Sequence, residues 1–567
     1  MRKTLLKASV MSIMMGGLFG LQTVFGQSDP TGKKPITSTY AITNATVFAN
    51  PSSEGSKATV LIKDGVIKGV GNNLTLPAEA KIIAGDSLFI YPGFIDGASN
   101  AGINKQEPPK RPDNFVSSNP PDEIAGITPW KSAIDQFDVS LSQVDDLRKM
   151  GFTLTQIIPD GGMLSGKTAL VVLGEKNSTN LVKENVALNA SLNGARGMYP
   201  GTTLGVMAKF RDVYKNTQLT KERQATFASN TGISRPELTP TYMGMMDVVD
   251  GKIPVIFNVE NDLEVRRALS LQKELGFQLI LSGLKEYDNV IDLIKSSGTR
   301  VLIQLSVPDD KAIKAQKDDA NESVKAQYAR VKEAYDKAIA QAAKLEKAGV
   351  AFAFTTSGAK TNDLMKSLRT MIEAGLSEKA ALAALTTNPA SILGVSRFAG
   401  SIETGKMANL VISTGPIFQE ESQIKHVVVD GNIFDYEIKE KKKNGANGNG
   451  NGSVSIVGTW DYNSQTPAGS SGGKFVISKE GSSYSGTITY QDPSGSGQAT
   501  SPLKDISLSG STLSFSFDVN AGGMNLTVSV SGDVSGNSMD GSMNITDFGS
   551  FPISATLNPT LIANKKP

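Results

Sequence analysis

The sequence predicts an α/β protein whose largest part is a (β/α)8 barrel, preceded by a small all-β unit and followed by a separate antiparallel β domain. Three patterns carry this prediction. Around Asn258 the chain becomes a repeat of apolar strand and amphipathic helix. At both ends, short segments alternate apolar and polar residues between turn residues. A stretch rich in Lys, Gly and Asn separates the last of these segments from the rest. At 567 residues the chain is also too long for one ordinary domain.

The N-terminus places Arg2, Lys3 and Lys7 before the apolar run "ASVMSIMMGGLFGLQTVFG", and Val24-Phe25-Gly26 offers small residues for cleavage. Residues 1–26 are therefore expected to be a signal peptide, with the mature protein exported to the periplasm or the outside. The run is short, glycine-interrupted and followed by polar residues, which argues against an anchor, and no membrane span is expected after cleavage. "YAITNATVFAN" and "ATVLIKDGVIKGVG" then read as strands, with Asp64-Gly65 as a hairpin turn.

"IPVIFNV" is an apolar strand, and "NDLEVRRALSLQKELG" is a helix with its cap at Asn261 or Asp262 and its end at Gly276. "FQLILSG", "KEYDNVIDLIKSSG" and "RVLIQLS" continue the alternation. Val324, Tyr328, Val331, Tyr335, Ile339 and Leu345, three or four apart or close to it, predict one long helix before Gly349 and the strand "VAFAFTT". An open doubly wound sheet would also fit such repetition. No Gly-rich phosphate loop of dinucleotide-binding type appears, so the barrel is preferred. In a barrel the functional side chains stand at the C-terminal strand ends, which selects Asn258, Ser282, Ser357 and the turn after Asp96.

Beyond Tyr436, residues 439–453 read as a flexible linker. In 454–567, "FVIS", "YSGTITY", "TLSFSFD" and "NLTVSVSG" alternate apolar residues with Ser and Thr, as in an antiparallel meander or small barrel.

Composition narrows the chemistry. The formal net charge of +2 gives no reason to expect nucleic acid or an anionic membrane as partner. Cysteine is absent, which removes disulfides, thiolate catalysis and Cys-ligated zinc. Histidine occurs once, at His426 in "IKHVVVDG", away from the strand ends of the barrel, so a Ser-His-Asp site has no histidine to recruit. Asp96, Asp160 and Glu260 lie near strand ends as carboxylates. "PDGGMLSGKTALVVLGE" lacks the first glycine of a phosphate loop and reads as a loop between strands.

With the strands placed, the chain resembles the amidohydrolase superfamily, in particular its imidazolonepropionase-like branch, over about Tyr40 to Tyr436. The resemblance rests on "TNATVF", "VLIKDGVIKGVG" and "YPGFID" at the start, and on "TTNPASILG", "GSIETGKMANLVI" and "HVVVDG" at the close. It implies a barrel over 91–396 and a composite β-sandwich from 27–90 and 397–438. It also implies one or two divalent metals such as zinc, which activate water to cleave carbon–nitrogen bonds. The ligands would be an H-x-H pair after "PGFID", one His at each of two later strand ends, and an Asp at the last.

In this sequence those positions are Ala98 and Asn100, Asn258, Ser282, and Ser357 (or Thr356, one residue earlier). The strand-four Lys or Glu finds no assigned position. Neutral amides and hydroxyls are poor zinc ligands, so no metal cofactor is expected. Two functions follow: an exported, metal-free pseudoenzyme that binds a small polar ligand or an active amidohydrolase homologue, or an active hydrolase of carbon–nitrogen bonds with a relocated site. The segment "INKQEPPKRPDNF", Ile103 to Phe115, is the candidate plug of the barrel mouth.

Overall fold

The computed structural model describes residues 39–438 and 456–558, apart from 108, 177–179, 315–321, 467–468, 482, 493–496, 510–511, 522–523 and 546–548. The expected signal peptide at 1–26, the first residues of the sandwich segment and the linker at 439–453 lie outside the described residues. The chain divides into two compact units, the first ending at Glu440 and the second starting at Lys441.

The first unit opens with β1 (Thr39–Val47), β2 (Ser56–Lys63), β3 (Val66–Gly71), β4 (Lys81–Ala84) and β5 (Phe89–Pro92). β2 and β3 are joined by Asp64 and Gly65 with φ of 52° and 74°. Two successive positive φ values make a two-residue turn whose twist suits a hairpin, and Asp-Gly is the pair that tolerates it.

The barrel strands follow as β6 (Phe94–Ser99), β7 (Phe152–Ile157), β8 (Leu164–Lys167), β9 (Ala169–Val172), β10 (Leu181–Lys183) and β11 (Leu188–Ser191). They continue as β12 (Val255–Asn258), β13 (Leu279–Leu284), β14 (Arg300–Gln304) and β15 (Phe352–Thr355). From β11 to β15 each strand pairs parallel with the next. The ring closes where the end of β15 meets β6: the Ser357 amide donates to the Ala98 carbonyl at 3.2 Å.

The closed barrel expected from the sequence is present, with one departure from the regular βα pattern. β8 and β9 form a single run interrupted at Thr168; β9 pairs antiparallel with β7, and β8 pairs antiparallel with β11. This run is the third stave of the barrel. Only Ile158–Met163 separate β7 from β8, too few for a parallel crossover, which needs a dozen or more residues. The segment read as a loop around Ser165-Gly166-Lys167 is therefore a strand, and Lys167 pairs with Asp247 at 2.7 Å.

The helices are α1 (Ser142–Lys149), α2 (Thr203–Ser229), α3 (Pro240–Val249), α4 (Asp262–Leu275) and α5 (Ile291–Ser297). Next come α6 (Glu322–Ile339), α7 (Gln341–Ala348), α8 (Leu364–Glu373), α9 (Glu378–Leu385) and α10 (Thr387–Ile392). The cap of α4 is Asn261, whose side chain accepts from the Glu264 amide, and Gly276 ends it with φ 80°. The single helix predicted through Leu345 is instead two, α6 and α7, divided at Ala340. Val324 and Val331 remain exposed on α6, whereas Ala342 and Leu345 of α7 enter the core. Packing against the barrel begins only with the second helix, and periodicity alone does not reveal that.

Between barrel and helices lies the largest apolar cluster, where Phe210 sits 5.4 Å from both Phe257 and Phe277. Inside the barrel a second cluster takes one residue from almost every stave: Ile95, Leu154, Leu170, Ala187, Ile256, Ile280, Leu302 and Ala353.

The chain then returns through β16 (Leu410–Ser413), β17 (Ile424–Val429) and β18 (Asn432–Asp435). β16 pairs antiparallel with β5, which joins both flanks into one eight-stranded sheet. Ile42, Val60, Ile67, Ile90, Leu410 and Val428 form its shared core.

The second unit comprises β19 (Gly458–Thr466), β20 (Gly469–Glu480), β21 (Ser483–Gln491), β22 (Gln498–Pro502), β23 (Lys504–Ser509) and β24 (Thr512–Ala521). It ends with β25 (Met524–Ser535), β26 (Ser538–Ile545) and β27 (Gly549–Asn558). β22 pairs with β21 and β23 with β24, so these two short strands act as one stave bent at Leu503. All other sequential neighbours pair antiparallel, and β27 returns to β19. The result is a closed up-and-down barrel. Trp460 stacks on Phe475 at 5.8 Å, and both are fully buried with Leu513 and Met539.

Candidate functional site

Side chains alternate faces along a strand, so a residue two positions beyond an inward-facing one also faces inward. Two positions beyond Leu154, Ala187, Ile256, Ile280, Leu302 and Ala353 stand Gln156, Asn189, Asn258, Ser282, Gln304 and Thr355. The barrel thus passes in one step from an apolar layer to a layer of neutral amides and hydroxyls at its C-terminal end.

These groups are linked. The Asn258 amide donates to Asn189 Oδ1 at 2.9 Å and to the Ala190 carbonyl at 3.3 Å. Asn189 in turn donates to Ser165 Oγ at 2.8 Å, and Gln156 to Thr168 Oγ1 at 2.6 Å. Across the closure, the Ser357 hydroxyl donates to Asn100 Oδ1 at 2.8 Å, and Gln304 Nε2 donates to the Ser357 carbonyl at 3.0 Å. Three buried atoms of this layer have no hydrogen-bond partner among the described residues: Gln156 Oε1, Ser282 Oγ and Gln304 Oε1. Buried polar atoms left this way are costly unless a water or ligand meets them.

The expected ligand positions fall into place unevenly. Asn100 and Ser357 meet directly, so Ser357 faces the mouth, while Thr356 turns away to bond the buried Asp96. Asn258 and Ser282 stand on adjacent strands in register. Ala98 is fully buried in the apolar cluster and contributes its carbonyl to Ser357 and to the Thr355 hydroxyl. Missed in the sequence were Asn189, Gln156 and Gln304. Asn189 stands on the fourth-strand segment that had no assigned position, and stepping two residues along each strand would have found all three.

The charged candidates lie elsewhere. Burial pushes the Asp96 carboxyl up to about 7, against hydrogen bonds donated by the Thr356 hydroxyl, the Thr356 amide and the Ala98 amide. Glu260 is exposed and pairs with Lys285 at 3.0 Å. Asp160 is exposed. His426 bonds Asp435 at 2.6 Å on the outer strands β17 and β18. Residues 104–107 and 109–114 are exposed throughout, which is not how a plug of the mouth would pack.

Among the described residues no three His, Cys, Asp or Glu side chains gather as a metal-holding group. A zinc ion wants imidazole, thiolate or carboxylate; Asn100, Asn258, Ser282 and Ser357 offer none, and the fit fails on donor chemistry. No described helix is long and apolar enough to cross a membrane.

Residues 185–434 match the model of the Amidohydrolase family. No curated protein sequence matches the chain. Among solved structures, an amidohydrolase from Thermotoga maritima MSB8 is 22% identical, with 70% of this chain and 100% of that one covered and a TM-score of 0.58. A prolidase complexed with n-methylphosphonate-l-proline is 16% identical over 70% of this chain and 100% of that one, with a TM-score of 0.44.

Proposed function

We propose, from the match of residues 185–434 to the model of the Amidohydrolase family and the fold that the first unit shares with an amidohydrolase structure, that the protein is an exported, metal-free pseudoenzyme. Its barrel mouth serves as a binding module for a small neutral polar molecule. The observation that carries this reading is the layer of Gln156, Asn189, Asn258, Ser282 and Gln304, amides and hydroxyls where metal chemistry needs imidazole and carboxylate. Such a layer binds by hydrogen bonds without a means to ionise water. An active amidohydrolase homologue is the protein partner this reading favours. Asp96 offers no alternative catalytic base, since it is fully buried and its oxygens already accept three hydrogen bonds.

Elemental analysis of the dialysed full chain tests the proposal. No stoichiometric zinc, manganese or iron is expected. One equivalent retained per chain, and lost on Asn100→Ala or Asn258→Ala, would overturn it. Combining Ala98→His, Asn100→His, Asn258→His, Ser282→His and Ser357→Asp is expected to create zinc binding.

A further inference from the structure

Helix α6 meets solvent on every side. From Ser323 to Lys337 all of its residues are exposed except Tyr328 and Tyr335, which are half-buried. Its 18 residues make it about 27 Å long, and a lone helix of that length is only marginally stable in water. Its apolar residues Val324, Tyr328, Val331, Tyr335 and Ala338 alternate four and three apart, and Ala342 and Leu345 of α7 continue the spacing. In α7 this seam is buried in the core, whereas in α6 Val324 and Val331 keep 48% and 42% of their surface in solvent.

Spacing and charge select the occupant. A seam of strict four-three spacing is narrow and packs a single partner helix, whereas a helix lying on a core or a membrane carries a wider apolar stripe. Successive residues turn by about 100°, so Lys325 and Lys332 border the seam on one side and Gln327 and Ala334 on the other. Glu333 and Asp336 lie farther round, where they pair with Lys337 and Lys332 at 2.7 and 2.5 Å; exposed pairs of this kind are weak and readily exchanged. Antiparallel pairing with a second copy would set lysine against lysine, and parallel pairing would set Lys332 against Gln327, so neither gains an ion pair. We propose that α6 docks an amphipathic helix of a partner protein, whose own heptad seam is bordered by Glu or Asp.

Fluorescence anisotropy on the full chain at low salt tests this with two three-heptad peptides of identical apolar seam, one with Glu and one with Lys at every position bordering it. The Glu peptide is expected to bind saturably, and the Lys peptide about tenfold or more weakly. Val331→Glu, at an exposed position, should abolish binding of the Glu peptide, and Lys325→Glu combined with Lys332→Glu should reverse the preference. No saturable binding of the Glu peptide, equal binding of both peptides, or binding unchanged by Val331→Glu would each overturn the proposal. So would self-association of the chain in sedimentation, or attachment to vesicles of phosphatidylcholine and phosphatidylglycerol, that is lost on Val331→Glu, since either gives the seam another occupant. Should a variant lose α6, the comparison of the two peptides on the unaltered chain decides alone.

Discussion

The two closed barrels solve the same packing problem in opposite ways. The C-terminal one fills its interior with Trp460, Phe475, Leu513 and Met539 and, among the described residues, leaves no buried polar side-chain atom without a partner. The α/β barrel fills only its lower part, then sets neutral amides and hydroxyls on the inward face, three atoms of them without partners. Selection for stability alone would favour the first arrangement, since unanswered buried polar atoms cost free energy. Their place at the strand ends of the α/β barrel is what the proposed binding site rests on.

The largest test of that contrast is Trp460→Ala. The second unit should lose about 3–5 kcal/mol, from transfer and cavity terms, while the first keeps its unfolding transition; calorimetry resolves the two. A loss spread equally over both transitions would show that the units are not independent.

Asp96 gives the next largest effect, and its sign is fixed by linkage. Its folded pKa of about 7 lies above the unfolded value, so the folded state keeps a proton that the unfolded chain has released. The contribution is full below about pH 4 and is lost as pH rises to about 7, roughly 4 kcal/mol at most. Asp96→Asn should flatten denaturant-measured stability across that window. An unchanged slope would mean that another group titrates there.

Within the polar layer the effects are smaller and differ in direction. Asn258→Ala breaks the bonds to Asn189 and the Ala190 carbonyl and should cost about 1–3 kcal/mol. Ser282→Ala removes a hydroxyl that has no partner, so stability should change by less than about 1 kcal/mol, or rise. A large loss at Ser282 would show that its hydroxyl is held by a bond the fold does not display.

The sequence exposes the regular half of the first barrel well, because strands such as "VIFN" and "FAFT" and the capped helix α4 are local features. It hides the third stave, since nothing local distinguishes Leu164–Lys167 in a loop from the same residues paired antiparallel to Leu188–Ser191. The sequence left Ser357 and Thr356 as alternatives, because the contact that engages Thr356 with Asp96 spans 260 positions and only the fold reveals it. Asn189 was hidden for a similar reason: its role depends on the register of β11 against β12. The break at Ala340 was beyond periodicity, which reports an apolar face but not whether anything covers it.

The pairing of β5 with β16 also sets a timetable for synthesis. Tyr91 and Ile417, linked by a hydrogen bond across 326 positions, cannot meet until almost the whole first unit has left the ribosome. Until then one edge of β5 stands unpaired, a ready template for other chains. Contacts of such sequence separation also form slowly. A growing chain of this kind gains from whatever keeps that edge covered, and a truncation before Leu410 should yield aggregates rather than a smaller folded protein.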